Sequence, residues 1–120
     1  MLHLSASCKY YLYREPTDMR KGFDSLSGIV ATGMKMDVLS RAVFIFINKK
    51  RNQVKLLLWE GDGLAIYYKR LEQGTYEIPA AVKDDPELSI SHELLHHILQ
   101  GVCLKSIRMR KRYHIKEIPA

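Results

Sequence analysis

The sequence predicts an α+β fold: an antiparallel β-meander of about four to five strands, with one helix after the first strand and another near the C-terminus. Three observations carry this. Residues 42–47 (AVFIFI) form an unbroken apolar run rich in β-branched and aromatic side chains, the mark of a central strand covered on both faces. Gly61-Asp62-Gly63 separates two strand-like segments, and Gly and Asp tolerate the positive φ of a tight hairpin. Two stretches place apolar residues at helical spacing between a capping residue and a glycine.

The elements follow in order. Residues 9–14 (KYYLYR) are aromatic-rich and predict the first strand, which Pro16 ends. Thr17 is then expected to cap the first helix, with Asp18 in its first turn facing the helix dipole. Met19, Phe23, Leu26 and Val30, with Ile29 beside them, form its apolar stripe, and Gly33 is the expected stop. Residues 48–52 (NKKRN) make a polar turn after the central strand. Residues 53–60 (QVKLLLWE) and 64–71 (LAIYYKRL) predict the hairpin, and residues 75–78 a short edge strand ended by Pro79. In the hairpin, a two-residue turn puts Lys55, Leu57, Trp59, Ile66, Tyr68 and Arg70 on one face. Val54, Leu56, Leu58, Ala65, Tyr67, Lys69 and Leu71 share the other, the better candidate for the core. Ser91 is expected to cap a second helix running to Gln100, with Ile90, Leu94, Leu95, Ile98, Leu99 and Val102 on its apolar face. We expect one domain over residues 1–104 and a basic tail over 105–120, with no internal repeat.

Composition narrows the function classes. The 120 residues are 47% hydrophobic and 27% charged, ordinary for one globular domain. No apolar run approaches the roughly 20 residues that span a bilayer, and residues 1–5 lack the pattern of a secretory leader. Two cysteines, Cys8 and Cys103, are too few for a disulfide framework and are expected as buried thiols in a reducing, cytoplasmic setting. The net charge of +6 is uneven. Residues 1–71 hold 12 Lys and Arg against 6 Asp and Glu, residues 72–104 hold 1 against 6, and residues 105–120 hold 6 against 1. Two basic islands therefore flank an acidic stretch, which concentrates positive potential beyond the net value.

One stretch imitates an enzyme. His92-Glu93-Leu94-Leu95-His96 fits the H-E-x-x-H pattern, in which two imidazoles bind Zn²⁺ and the Glu activates a metal-bound water. On a helical wheel the two histidines lie well over roughly 100° from the centre of the apolar stripe, so they point to solvent rather than into a cleft. Glu117 is no convincing third ligand, and we expect no metal site. Asp18, Asp24, Glu60 and Asp62 are no better as a Mg²⁺ site of a nuclease, because no spacing brings them together. No catalytic residue and no cofactor is expected.

The basic residues suggest a different chemistry. Arg20 and Lys21 are expected in the first turns of the first helix. Lys49, Lys50 and Arg51 occupy the polar turn, and Lys55, Lys69 and Arg70 the adjoining strands. Arg108, Arg110, Lys111 and Arg112 lie in the tail. Trp59, Tyr67 and Tyr68 are interleaved with the strand cations. Cations neutralise phosphates, and aromatic faces stack on unpaired bases. These twelve cations are the candidate nucleic-acid contacts. The competing reading makes the aromatics core edges and the charges a solvated face.

Three blocks carry a family resemblance: residues 16–26 (PTDMRKGFDSL), Val43-Phe44-Ile45-Phe46 with the basic turn and Lys55-Leu56-Leu57, and residues 59–74 (WEGDGLAIYYKRLEQG). In order and spacing they resemble the TnpB-type accessory protein, or second-open-reading-frame-like protein, of the insertion-sequence-sixty-six group of bacterial mobile elements. The resemblance covers about residues 4–112. It implies a non-enzymatic role in transposition beside a separate transposase, with DNA at the element ends, the transposase and other proteins of the element as partners, and no membrane. The alternatives are a protein-only adaptor and, less in keeping with the motifs, a small metal-dependent hydrolase or nuclease. The third block usually reads Trp-Asp-Gly-Asp-Gly-Phe in the family. Here Glu60 keeps the acid, while Leu64 replaces the aromatic and removes any stacking role there.

Overall fold

The computed structural model describes residues 7–78, 89–100, 102–103 and 108–109, the last four by their backbone alone. Five strands form one sheet in the order β4-β3-β2-β1-β5. They are β1 (Tyr10–Leu12), β2 (Val43–Ile47), β3 (Gln53–Trp59), β4 (Leu64–Arg70) and β5 (Ser89–Ile90). Helix α1 (Phe23–Gly28) lies between β1 and β2, and α2 (His92–Gln100) follows β5. The α+β class with two helices at these places is as the sequence predicts.

The meander β2-β3-β4 is antiparallel, with Ile45 opposite Leu56 and Leu57 opposite Ile66. The remainder of the sheet departs from a pure meander. Strand β1 runs parallel to β2, Tyr11 beside Phe44, so the chain between them must cross over a face of the sheet, and it carries α1 as it does so. The fifth strand is β5, antiparallel to β1, and not residues 75–78. After β4 the chain turns back across the β2–β3 turn instead: the Leu71 N–H donates to the Asn52 carbonyl at 2.7 Å and the Tyr76 N–H to the Arg51 carbonyl at 2.6 Å. Tyr76 is thereby buried in the core, and β4 remains an edge of the sheet.

Both faces of the sheet are covered. Tyr10, Leu12, Val43, Ile45, Val54 and Leu56 pack with Leu95 and Ile98 of α2. Phe44, Phe46 and Leu57 pack on the other side with Leu26 of α1 and with Val30 and Met34 beyond its end. The alternation of side chains along each strand divides these two cores, which is why every residue of β2 is buried. Each such side chain contributes about 1.5–3 kcal/mol by leaving water. The expected core face of the hairpin, through Val54 and Leu56, is therefore correct, but Leu57 on the opposite face is buried as well.

The helices show where local signals hold. Ser91 caps α2, its Oγ accepting the Leu94 N–H at 3.0 Å, as expected. Helix α1 instead starts at Phe23, with Gly22 at its cap and no side-chain cap. The expected cap, Thr17, is buried, and its N–H donates to the Ile47 carbonyl at 2.9 Å. Residues 17–22 are thus docked at the end of β2 rather than coiled. Phe23 is exposed, and the rest of the apolar stripe faces the sheet. The helix continues as a π-helical turn, Ile29–Gly33, and ends at the expected glycine.

Strands β6 (Val102–Cys103) and β7 (Arg108–Met109) pair antiparallel with each other. The expected start of the basic tail, residue 105, falls between them. Cys8 is a partly buried free thiol; the side chain of Cys103 lies outside the described residues. Among the described residues, no helix is long and apolar enough to cross a membrane.

Candidate nucleic-acid interface

The turn between β2 and β3 is fixed from within. The Asn48 Oδ1 accepts the N–H groups of Asn52 and Gln53, each at 3.0 Å, and its Nδ2 donates to the Asn52 Oδ1 at 2.8 Å. Arg51 takes the left-handed conformation, φ 59°, that closes the turn. With the backbone satisfied by asparagines, Lys49 and Lys50 extend into solvent.

The segment of residues 17–21 lies beside this turn, held by the Thr17–Ile47 hydrogen bond. It forms its own turn, with the Lys21 N–H donating to the Asp18 carbonyl at 3.1 Å. The Asp18 carboxylate accepts the Arg20 N–H at 2.9 Å and the guanidinium through Nε at 3.0 Å and Nη2 at 2.6 Å. The Arg20 side chain and backbone hydrogen bonds hold the Asp18 carboxyl far below the usual carboxylate range. The same contact raises the Arg20 pKa. Asp18 therefore shapes this loop and does not cap the helix.

A buried cation on β3 joins the 17–21 segment to β4. Lys55 is only 8% exposed. Its Nζ donates to the Lys21 carbonyl at 2.8 Å and sits 4.7 Å from the centre of the Tyr68 ring, a cation–π arrangement. The Tyr68 hydroxyl donates in turn to the Gln53 Oε1. Tyr68 nevertheless remains 51% exposed.

These contacts frame an open groove of about 650 Å³, lined by residues 16–20, residues 48–50, Gln53 and Tyr68. A neighbouring hollow shares Pro16, Asn48 and Lys49 with it and adds Arg14 and Arg51. Three blocks far apart in sequence thus meet at one place.

The structure sorts the predicted cations. Arg20, Lys49 and Lys50 line the groove, Lys21 is exposed beside it, and Arg51 lines the adjoining hollow. Lys55 lies on the same face of the sheet but outside the groove's lining, buried with its charge engaged, so it orients the loop rather than meeting a ligand. Arg70 stands opposite Gln53 on the groove's face of the sheet and pairs with Glu72 at 3.2 Å. Lys69 points to the opposite face, since neighbours in a strand alternate. Arg108 is described by its backbone alone, and Arg110, Lys111 and Arg112 lie outside the described residues. Sequence reasoning missed Asn48 and Gln53, whose polar side chains carry no charge signal, and Arg14.

The enzyme-like stretch has a structural setting. His96 is exposed, as expected, but His92 is partly buried, its ring 5.7 Å from that of Tyr10 and 5.5 Å from that of His96. The carboxylates do not converge: Asp18 is paired with Arg20, while Glu60 and Asp62 sit in the β3–β4 turn. Among the described residues, no group of three or more His, Cys, Asp or Glu side chains is placed to hold a metal ion.

Comparison with known proteins agrees with the motifs. Residues 8–109 match the family described as "IS66 Orf2 like protein". "Uncharacterized protein y4hO" of Sinorhizobium fredii is 28% identical over 102 residues, covering 85% of this chain and 87% of that protein. "Uncharacterized protein y4jC" of the same organism is 27% identical over 84 residues, 70% of this chain and 71% of its own length. No solved structure matches. The chain belongs to the IS66 Orf2-like family, accessory proteins of a transposable insertion sequence.

Proposed function

We propose that the protein assists transposition by binding DNA at the ends of its element through the basic groove. The convergence carries this reading: the three blocks that define the family resemblance build one groove, and its cations face outward. Lys49 and Lys50 make no ion pair among the described residues, so their charge is available to phosphates. The Asp18 carboxylate lies in the same groove, but its bidentate pairing with Arg20 offsets its repulsion of a phosphate. In this reading residues 1–104 form the DNA-engaging domain and the tail from 105 adds a second cluster of cations.

Fluorescence anisotropy against the element's terminal DNA over a salt series tests this. Affinity should fall steeply with salt, with preference over random DNA retained. Removing Lys49 and Lys50 together should lower the log–log slope by about 2. Absence of binding to any DNA at low salt would refute the proposal. Survival of transposition in a Lys49→Glu, Lys50→Glu, Arg51→Glu variant that no longer binds DNA would instead favour a protein-only adaptor that engages the transposase.

A further inference from the structure

Tyr68 is an unusual wall for a site that holds only phosphates. Its ring covers the ammonium of Lys55, while the residue stays half exposed and lines the groove. The Gln53 Oε1 is occupied by the Tyr68 hydroxyl, which leaves the amide nitrogen as a donor beside the ring. Arg20, Lys49 and Lys50 stand on the same lining. One aromatic face, one polar amide and a set of cations are what a single nucleotide presents complements to: a base plane, a base edge and a phosphate.

We propose that the groove takes an unpaired nucleotide, its base stacked on the outer face of Tyr68 and its phosphates held by Lys49 and Lys50. This rests on the DNA-binding reading above and refines it: the ligand is single-stranded or frayed DNA. The volume supports this occupant. A groove of about 650 Å³ is large enough for one nucleotide. In duplex DNA the base faces are already stacked on each other, so Tyr68 would have nothing to meet. The buried Lys55 suits the role, because it fixes the ring's orientation from behind. The ring is thus set before the base arrives, which reduces the ordering cost of binding.

Anisotropy at one fixed salt concentration, with a labelled single strand, a blunt duplex and a duplex carrying an unpaired overhang, tests the assignment. The parent should bind the strand and the overhang more tightly than the blunt duplex. Tyr68→Leu should weaken both by about tenfold and the blunt duplex by less than about twofold. Tyr68→Phe, which keeps the ring and loses only the hydrogen bond to Gln53, should stay close to the parent. Equal affinity for all three DNAs, or an equal loss on all three in Tyr68→Leu, would overturn the unpaired-nucleotide assignment while leaving DNA binding intact. Absence of binding to all three would remove the DNA-binding reading and this inference with it.

Discussion

Replacing Lys55 by Met separates the architecture of the groove from its charge. Met keeps most of the buried aliphatic stem but cannot donate to the Lys21 carbonyl or sit as a cation behind Tyr68. A hydrogen bond from a charged donor contributes about 1.5–3 kcal/mol. The cation–π contact adds about 0.5–1 kcal/mol, the lower range because the ring is half exposed. Against these stands the cost of keeping an ammonium at 8% exposure, which Met removes in part. The net expectation is a loss of about 2 kcal/mol. For a chain of 120 residues that corresponds to a fall in Tm of about 8 °C. Urea unfolding followed by circular dichroism measures it, with Lys49→Ala as a control expected within about 0.5 kcal/mol of the parent. A Lys55→Met protein as stable as the parent would refute the claim that this lysine joins the loop to the sheet.

Other consequences can be checked in the same assay. Ser91→Ala removes the oxygen that accepts the Leu94 N–H and should cost about 1 kcal/mol. Gly61→Ala should cost about 1–2 kcal/mol, because Gly61 has φ 101° and an added Cβ would lie 3.0 Å from the Arg41 guanidinium. The pH dependence has a definite sign. Asp18 titrates lower in the folded than in the unfolded chain, so its stabilising effect is complete above the usual carboxylate pKa and fades as the pH falls through and below it. In an NMR titration the Asp18 carboxyl should stay ionised after other carboxylates have protonated, and in Arg20→Ala, which removes the guanidinium but keeps the backbone N–H donor, it should move up toward the ordinary range.

How far the sequence reveals the molecule depends on whether a signal is local. The apolar run of β2, the hairpin at Gly61-Asp62-Gly63 and the Ser91 cap are each decided within a few residues, and each is found as predicted. Thr17 carries the same kind of local signal and misleads, because the residues after it close a turn on Asp18, which takes the Arg20 and Lys21 N–H groups, and the helix starts only at Phe23. Strand β5 is two residues long and has no period to detect, whereas residues 75–78 carry an edge-strand pattern without forming a strand. The cations of the groove were legible as residue types. Their sorting was legible in part: strand alternation already separates Lys69 from Arg70, but the burial of Lys55 depends on the 17–21 loop that folds against it. Asn48 and Gln53 had no sequence signal, since their role depends on which loop folds beside them.

The place where DNA meets the protein is the central claim, and photo-crosslinking to terminal element DNA with peptide mapping addresses it most directly. The account expects crosslinks within residues 16–21 and 48–53 and at Tyr68. Crosslinks confined to the α2 face of the sheet, with none in these segments, would contradict it.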